Sequence, residues 1–261
     1  LFTHVLEVRK RTLGEEHFAT LSTMESIAQL YLRQRRFAEA DPLLERTLEI
    51  QRRVLGDDHP GTLRTLNSLG HSYQAQKKYA QCIPVFQEAL NGLERVCGKD
   101  HADTLAVLNN MGTVSGELGR YDDAELILRH VLAARIRVLG EDHPKTLTSF
   151  NNLGTLCYER KQYDKAVPLY QKALKHRVEK LGFEHPDTLS TLHNLAMMYY
   201  MQGAYAKAEP LLLKWHALAV KTEVSSSWRR SVENDLVGLY EAWNKPEEAD
   251  RWRARLEADG E

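Results

Sequence analysis

Gly56-Asp57-Asp58-His59-Pro60-Gly61-Thr62-Leu63 decides the reading of this chain, because it comes back at a fixed interval. Upstream it is Gly14-Glu15-Glu16-His17-Phe18-Ala19-Thr20-Leu21. Downstream it is Gly98-Lys99-Asp100-His101-Ala102-Asp103-Thr104-Leu105, then Gly140-Glu141-Asp142-His143-Pro144-Lys145-Thr146-Leu147, then Gly182-Phe183-Glu184-His185-Pro186-Asp187-Thr188-Leu189. The glycines fall at 14, 56, 98, 140 and 182, a step of 42 residues without slippage. Self-similarity at such a period is the mark of stacked supersecondary units that cannot bury their apolar faces alone.

Each period holds two amphipathic helices. After the motif, Leu63, Leu66, Leu69, Gly70 and Tyr73 recur at helical spacing. A polar break at Gln76-Lys77-Lys78 follows, then a second stripe: Tyr79, Cys82, Ile83, Phe86, Ala89, Leu90, Leu93 and Val96. Gln81, Gln87, Glu88, Asn91, Glu94 and Arg95 fill the opposite face, so the helix is packed on one side and wet on the other. Pro60, Pro144 and Pro186 fit the first helical position. The motif glycine fits just past the preceding helix, where a left-handed residue ends it. Small residues recur where paired helices approach: Ala28, Gly70, Gly112, Gly154 and Ala196 on the first, Ala40, Cys82, Ala124, Ala166, Ala208 and Ala249 on the second.

Leu69-Gly70-x-x-Tyr73 followed by Cys82, Phe86 and Ala89 resembles the tetratricopeptide signature. The 42-residue unit with G-x-x-H-P-x-T-L resembles the kinesin light chain-like, nephrocystin-like branch of that family. The resemblance implies an all-α, right-handed superhelical solenoid of helix-turn-helix repeats. Its phase makes 1–13 the second helix of a repeat that starts upstream, and so the chain is read as part of a longer protein. Five units follow at 14–55, 56–97, 98–139, 140–181 and 182–223. From Val224 the motif dissolves into Ser225-Ser226-Ser227-Trp228, and 224–261 reads as a degenerate sixth repeat or cap. Phe18 and Ala102 replace the Pro, Ser115 and Cys157 the Tyr, and Trp215 the Ala.

Composition excludes several function classes. Lys and Arg number 35 and Asp and Glu 36, for a formal net charge of -1. That balance gives no long-range attraction to nucleic acid or anionic membrane. The longest apolar run, Leu195–Met201, falls well short of the roughly 18 residues a membrane helix needs. Three cysteines, Cys82, Cys97 and Cys157, form no C-x-x-C pair and suit a reducing compartment, so a cytoplasmic location is expected. The five motif histidines sit one per repeat, roughly 10 Å apart, whereas zinc ligands converge to about 2 Å from one point. They read as side chains that fix the loop and the next helix start, and neither metal nor cofactor is expected. No catalytic motif is present, and the acid pairs Asp122-Asp123 and Glu247-Glu248 open second helices, where the helix dipole favours them. A non-enzymatic role follows.

The resemblance implies that the first helices line a concave groove that holds a partner's peptide segment. Projection at 100° per residue puts the equivalents of Arg64, Asn67, Ser68, His71, Gln74 and Ala75 on that face. One column reads Asn67, Asn109, Asn151, His193 and Asn234; the next reads Ser26, Ser68, Asn110, Asn152, Asn194 and Asp235. Asn costs some tenths of a kcal/mol mid-helix, and a primary amide both donates and accepts. By resemblance, Asn110, Asn152 and Asn194 grip a peptide backbone; the alternative is that the amides tie neighbouring first helices together. Arg64, His71, Tyr158, His193, Tyr200 and Met201 would then set specificity, with Met197 in the apolar wall of the groove, although Tyr158 and Tyr200 could equally pack between helices. Trp215, Trp228, Trp243 and Trp252 all lie in the last 47 residues, which reads as a cap or a self-association surface. The expected function is an adaptor for a protein or peptide partner, with a self-assembly module or the sensor arm of a larger enzyme as alternatives.

Overall fold

The motif builds a junction between helices. Gly56 takes φ 90° and ψ 165° after the last residue of one helix. This is an extended positive-φ conformation that side chains do not tolerate, rather than the left-handed helical cap expected from the sequence. His59 then caps the next helix, its Nδ1 accepting the backbone N–H of Gly61. His17, His101, His143 and His185 do the same at the other four copies, all at 3.0–3.2 Å. Pro60, Pro144 and Pro186 hold the first helical position. The Thr of the motif donates back to the Gly carbonyl at 2.8 Å in four copies. In the fifth, the buried hydroxyl of Thr188 finds no partner among the described residues.

The structure, a computed structural model, describes residues 2–221 and 226–258, all helix or short turn. The unit boundary expected at 223–224, with Ser225, lies outside them. Helix α1 (Phe2–Leu13) precedes six hairpins. These are α2 (Phe18–Arg33) with α3 (Phe37–Leu55), α4 (Pro60–Ala75) with α5 (Tyr79–Cys97), and α6 (Ala102–Glu117) with α7 (Tyr121–Leu139). Then come α8 (Pro144–Glu159) with α9 (Tyr163–Leu181), α10 (Pro186–Met201) with α11 (Tyr205–Lys221), and α12 (Ser226–Ala242) with α13 (Pro246–Ala258). Two units are distinguished, Leu1–Val138 and Leu139–Glu261.

Inside a hairpin the small first-helix residue receives a large second-helix side chain. A Cβ on Gly70 would stand 2.6 Å from the Phe86 ring, and one on Gly154 2.8 Å from the Tyr170 ring. The turn between the two helices carries a positive φ at Arg35, Lys77 and Lys161 (57–59°) and at Gly119 and Gly203 (75° and 70°). Pro42, Pro84, Pro168 and Pro210 lie six residues into second helices, which run on through them. The missing N–H there would have reached only the second residue of the helix. Ile83 and Val96, placed on the packed stripe by periodicity, are 37% and 47% exposed. Both sit at the rim of the apolar arc, beyond the reach of the facing helix.

Within each unit, neighbouring hairpins are joined by two columns of the 42-residue register. Arg9, Gln51, Leu93, Arg135, Arg177 and Ala219 form one; Thr23, Thr65, Val107, Ser149, Thr191 and Glu233 form the other. Arg9 bonds Thr23 at 2.6 Å and Arg177 bonds Thr191 at 2.6 Å. Gln51 and Thr65 share the Glu25 carboxylate. Where the first column turns apolar at Leu93, so does the second at Val107, and both join one core cluster. Polar thus meets polar and apolar meets apolar at these junctions, as buried polar groups require, while the last pair, Ala219 and Glu233, breaks the match.

Candidate binding face

In the first unit, α2, α4 and α6 lie side by side, tied by side chains. Gln29 donates to Ser68 at 2.6 Å, Asn110 to Asn67 at 3.1 Å, and Gln74 to Thr113 at 3.0 Å. Arg64 and His71 are exposed on this face. Arg64 stands 3.8 Å from the Glu25 carboxylate. Surrounding protein pushes the His71 imidazole pKa down although its surface stays accessible, the combination expected of a side chain set in a concavity. Asn109 is turned inward, only 7% exposed, with its carbonyl oxygen 3.4 Å from Arg135. Arg135 is itself buried, and desolvation pushes its pKa down to about 10.

In the second unit the first helices are α8, α10 and α12. Asn151 donates to Thr191 at 3.1 Å. His193 and Asp235 are 2.7 Å apart. Asn152 and Asn194 are half-buried, and among the described residues the Asn194 amide has no hydrogen-bond partner. Met197 leans on the cluster around Cys157, Tyr170 and Met198. Tyr158 packs on Tyr163 and Tyr200 on Tyr205, each with ring centroids 6.0 Å apart, so both cover a hairpin turn. Tyr158 and Met201 are each 38% exposed. Of the candidate residues, then, Asn67 and Asn110 bond each other, Asn109 faces the interior, and Asn194 alone among the ladder amides is unbonded among the described residues.

Two features were not singled out from the sequence. The first is a buried polar cluster: His216 and Glu233, 8% and 0% exposed, lie 2.8 Å apart, with Arg255 3.4 Å from the same carboxylate. The signal was a break in register, since His216 stands where Leu6, Leu48, Leu90, Leu132 and Leu174 stand, and Glu233 where Thr191 does. The second is a cavity between α10 and α12, bounded by Ser190, His193, Trp215, Trp228, Ser231 and Val232. Neither serine is hydrogen-bonded to His193 among the described residues. Trp215, Trp243 and Trp252 pack into the core of α11–α13, while Trp228 is 42% exposed.

The tetratricopeptide repeat model matches residues 1–51, 25–81, 65–136, 117–177 and 158–221. The chain belongs to the tetratricopeptide repeat family. A kinesin light chain candidate from Podosopora anserina, made of nearly identical TPR-like repeats, superposes with a TM-score of 0.63 at 26% identity, over 80% of this chain and 99% of that one. BtubC (BKLC) from P. vanneervenii superposes at 0.74 and 16% identity, over 85% and 90%. A Rap protein complexed with Competence and Sporulation Factor superposes at 0.67 and 15% identity, over 99% and 84%. The last two show the fold alone. No curated protein matches the chain. Like those neighbours the chain is an all-α repeat solenoid of the kind that serves as a protein-interaction scaffold. No helix among the described residues is long and apolar enough to cross a membrane.

Proposed function

We propose that the chain is a non-enzymatic adaptor that holds an extended peptide segment of a partner on the first helices of its second unit. The observation that carries this is the Asn194 amide, half-buried on α10 and unbonded among the described residues while Asn67, Asn110 and Asn151 are all engaged. A free amide at such a place can take a backbone N–H and a backbone C=O together, whatever side chains flank them. Asn152, one repeat earlier in the same register, is its counterpart, and Met201 and Tyr158 supply accessible apolar surface nearby in the chain. The kinesin light chain-like form of the repeat supports an adaptor role. In the first unit Arg64 and His71 are among the exposed polar groups that can meet a partner.

A pull-down with this chain, followed by mapping of the captured segment, supplies the ligand. Asn194→Ala is expected to weaken its binding about tenfold, as loss of a paired amide does, with thermal unfolding unchanged. Asn67→Ala, which removes a tie between α4 and α6, is expected to lower stability instead. Unchanged binding by Asn194→Ala would refute the proposal.

A further inference from the structure

The turns of the α8–α9 and α10–α11 hairpins flank a polar groove of about 770 Å³. Lys161 and Lys207 border it, both exposed, and neither has a carboxylate partner among the described residues. The Lys207 ammonium lies 5.5 Å from the centre of the Tyr199 ring, whose hydroxyl accepts from Gln171 at 2.8 Å. That leaves the Tyr199 hydroxyl its own proton to donate. Asp164 is the one carboxylate of the lining, and it accepts from Gln202 at 2.7 Å. Donors thus outnumber acceptors in the groove.

Another junction of the same chain shows what such a place takes. Where α2–α3 meets α4–α5, Asp41 and Glu45 hold the register positions of Val167 and Gln171, and Tyr73 and Gln76 those of Tyr199 and Gln202. There Tyr73 donates to Glu45 at 2.7 Å and Gln76 to Asp41 at 2.8 Å, with Lys78 3.6 Å from Asp41. Glu209, in the register of Asp41, likewise accepts from Tyr240 at 2.9 Å. Between the fourth and fifth repeats the Tyr and the Gln are kept, both carboxylates are gone, and Lys207 stands where Gln81 does. The surrounding charge has the same sign: α9 carries Lys165, Lys172, Lys175, Arg177 and Lys180 against Asp164 and Glu179.

We propose that this groove is a second docking site, which takes the carboxylates of an acidic peptide segment of a protein partner. Lys161 and Lys207 meet the carboxylates, and Tyr199 donates to one of them in a charge-assisted hydrogen bond. Carboxylates, rather than phosphates, are the groups that this register holds elsewhere in the chain. The groove includes none of the residues of the amide face around Asn194, so the two readings stand or fall separately.

The test measures fluorescence anisotropy of dye-labelled hexaglutamate, blocked at both ends, with the full chain at low salt. A Kd of about 0.1–1 mM is expected, weakening as salt rises; hexaglutamine should not bind. Lys161→Gln and Lys207→Gln should each weaken binding about threefold, and together about tenfold. Lys175→Gln, an exposed lysine of α9 outside the groove, should leave it unchanged. Val167→Asp with Gln171→Glu supplies the groove with its own carboxylates and should abolish binding, with folding checked by circular dichroism. If that variant does not fold, the double lysine variant decides alone. No binding of hexaglutamate at about 10 mM protein-accessible probe, or equal weakening by Lys175→Gln and Lys207→Gln, overturns the site. So does an oligothymidylate that binds more tightly than hexaglutamate and loses its affinity in the double lysine variant, since the groove would then be a phosphate site.

Discussion

His59 shows what one side chain contributes to a repeat. Its Nδ1 satisfies a backbone N–H that the first turn of α4 would otherwise leave without an intrahelical partner. His59→Ala is expected to destabilise the chain by about 0.5–1 kcal/mol, and His59→Asp to restore the cap, as read from urea midpoints. His71 acts through pH. Its folded pKa lies below its unfolded one, so the unfolded chain binds the proton more readily. The stability this group contributes is complete above the ordinary imidazole value and is lost as pH falls through that value towards the folded one. His71→Asn lacks the penalty. Between about pH 7.5 and pH 5, the urea midpoint of the unsubstituted chain should therefore fall further than that of the variant. An equal fall in both would show that His71 is as well solvated folded as unfolded.

The hairpin turn is where an element carries strain. Gly119 and Gly203 occupy the positive-φ position without cost, but Arg35, Lys77 and Lys161 hold side chains there. A left-handed conformation costs a residue with a Cβ roughly 1–2 kcal/mol, part of which Gly returns as chain entropy lost on folding. Lys161→Gly is expected to stabilise the chain by about 0.5–1 kcal/mol in chemical denaturation. Gly154 is the opposite case. Its lack of a Cβ seats the Tyr170 ring, whose hydroxyl lies 3.0 Å from the Thr155 hydroxyl. Burial pushes the Tyr170 phenol up to about 12. In one hairpin, then, a non-Gly residue is tolerated at a strained turn while a Gly is required on an unstrained helix, because packing and backbone freedom make separate demands.

For the molecule as a whole, a stack of repeats is stable through its internal cores and the junctions between neighbours. The junction of α11 with α12 departs from the others by burying His216 against Glu233. Restoring the chain's own register, His216→Leu with Glu233→Thr, is expected to be neutral or stabilising by about 1–3 kcal/mol. His216→Leu alone should cost about 3 kcal/mol, because it leaves a carboxylate that has no exposed surface with Arg255 as its one remaining partner among the described residues. Thermal unfolding of the two single variants and the double variant checks the cycle. The helices, their pairing into hairpins and the role of the five histidines were legible in the sequence, because caps, glycine turns and apolar periodicity act over a few residues and recur every 42. Which amides of the Asn ladder stay free was not. Asn109 and Asn110 are adjacent and so point about 100° apart, and periodicity cannot say which of them turns inward. The rotation of each helix against its neighbours sends Asn109 to Arg135, joins Asn110 to Asn67, leaves Asn194 unbonded among the described residues, and opens a cavity beside Trp215. These outcomes belong to tertiary structure, because a side chain's partners depend on the helices that pack around it and not on the residues beside it in the chain.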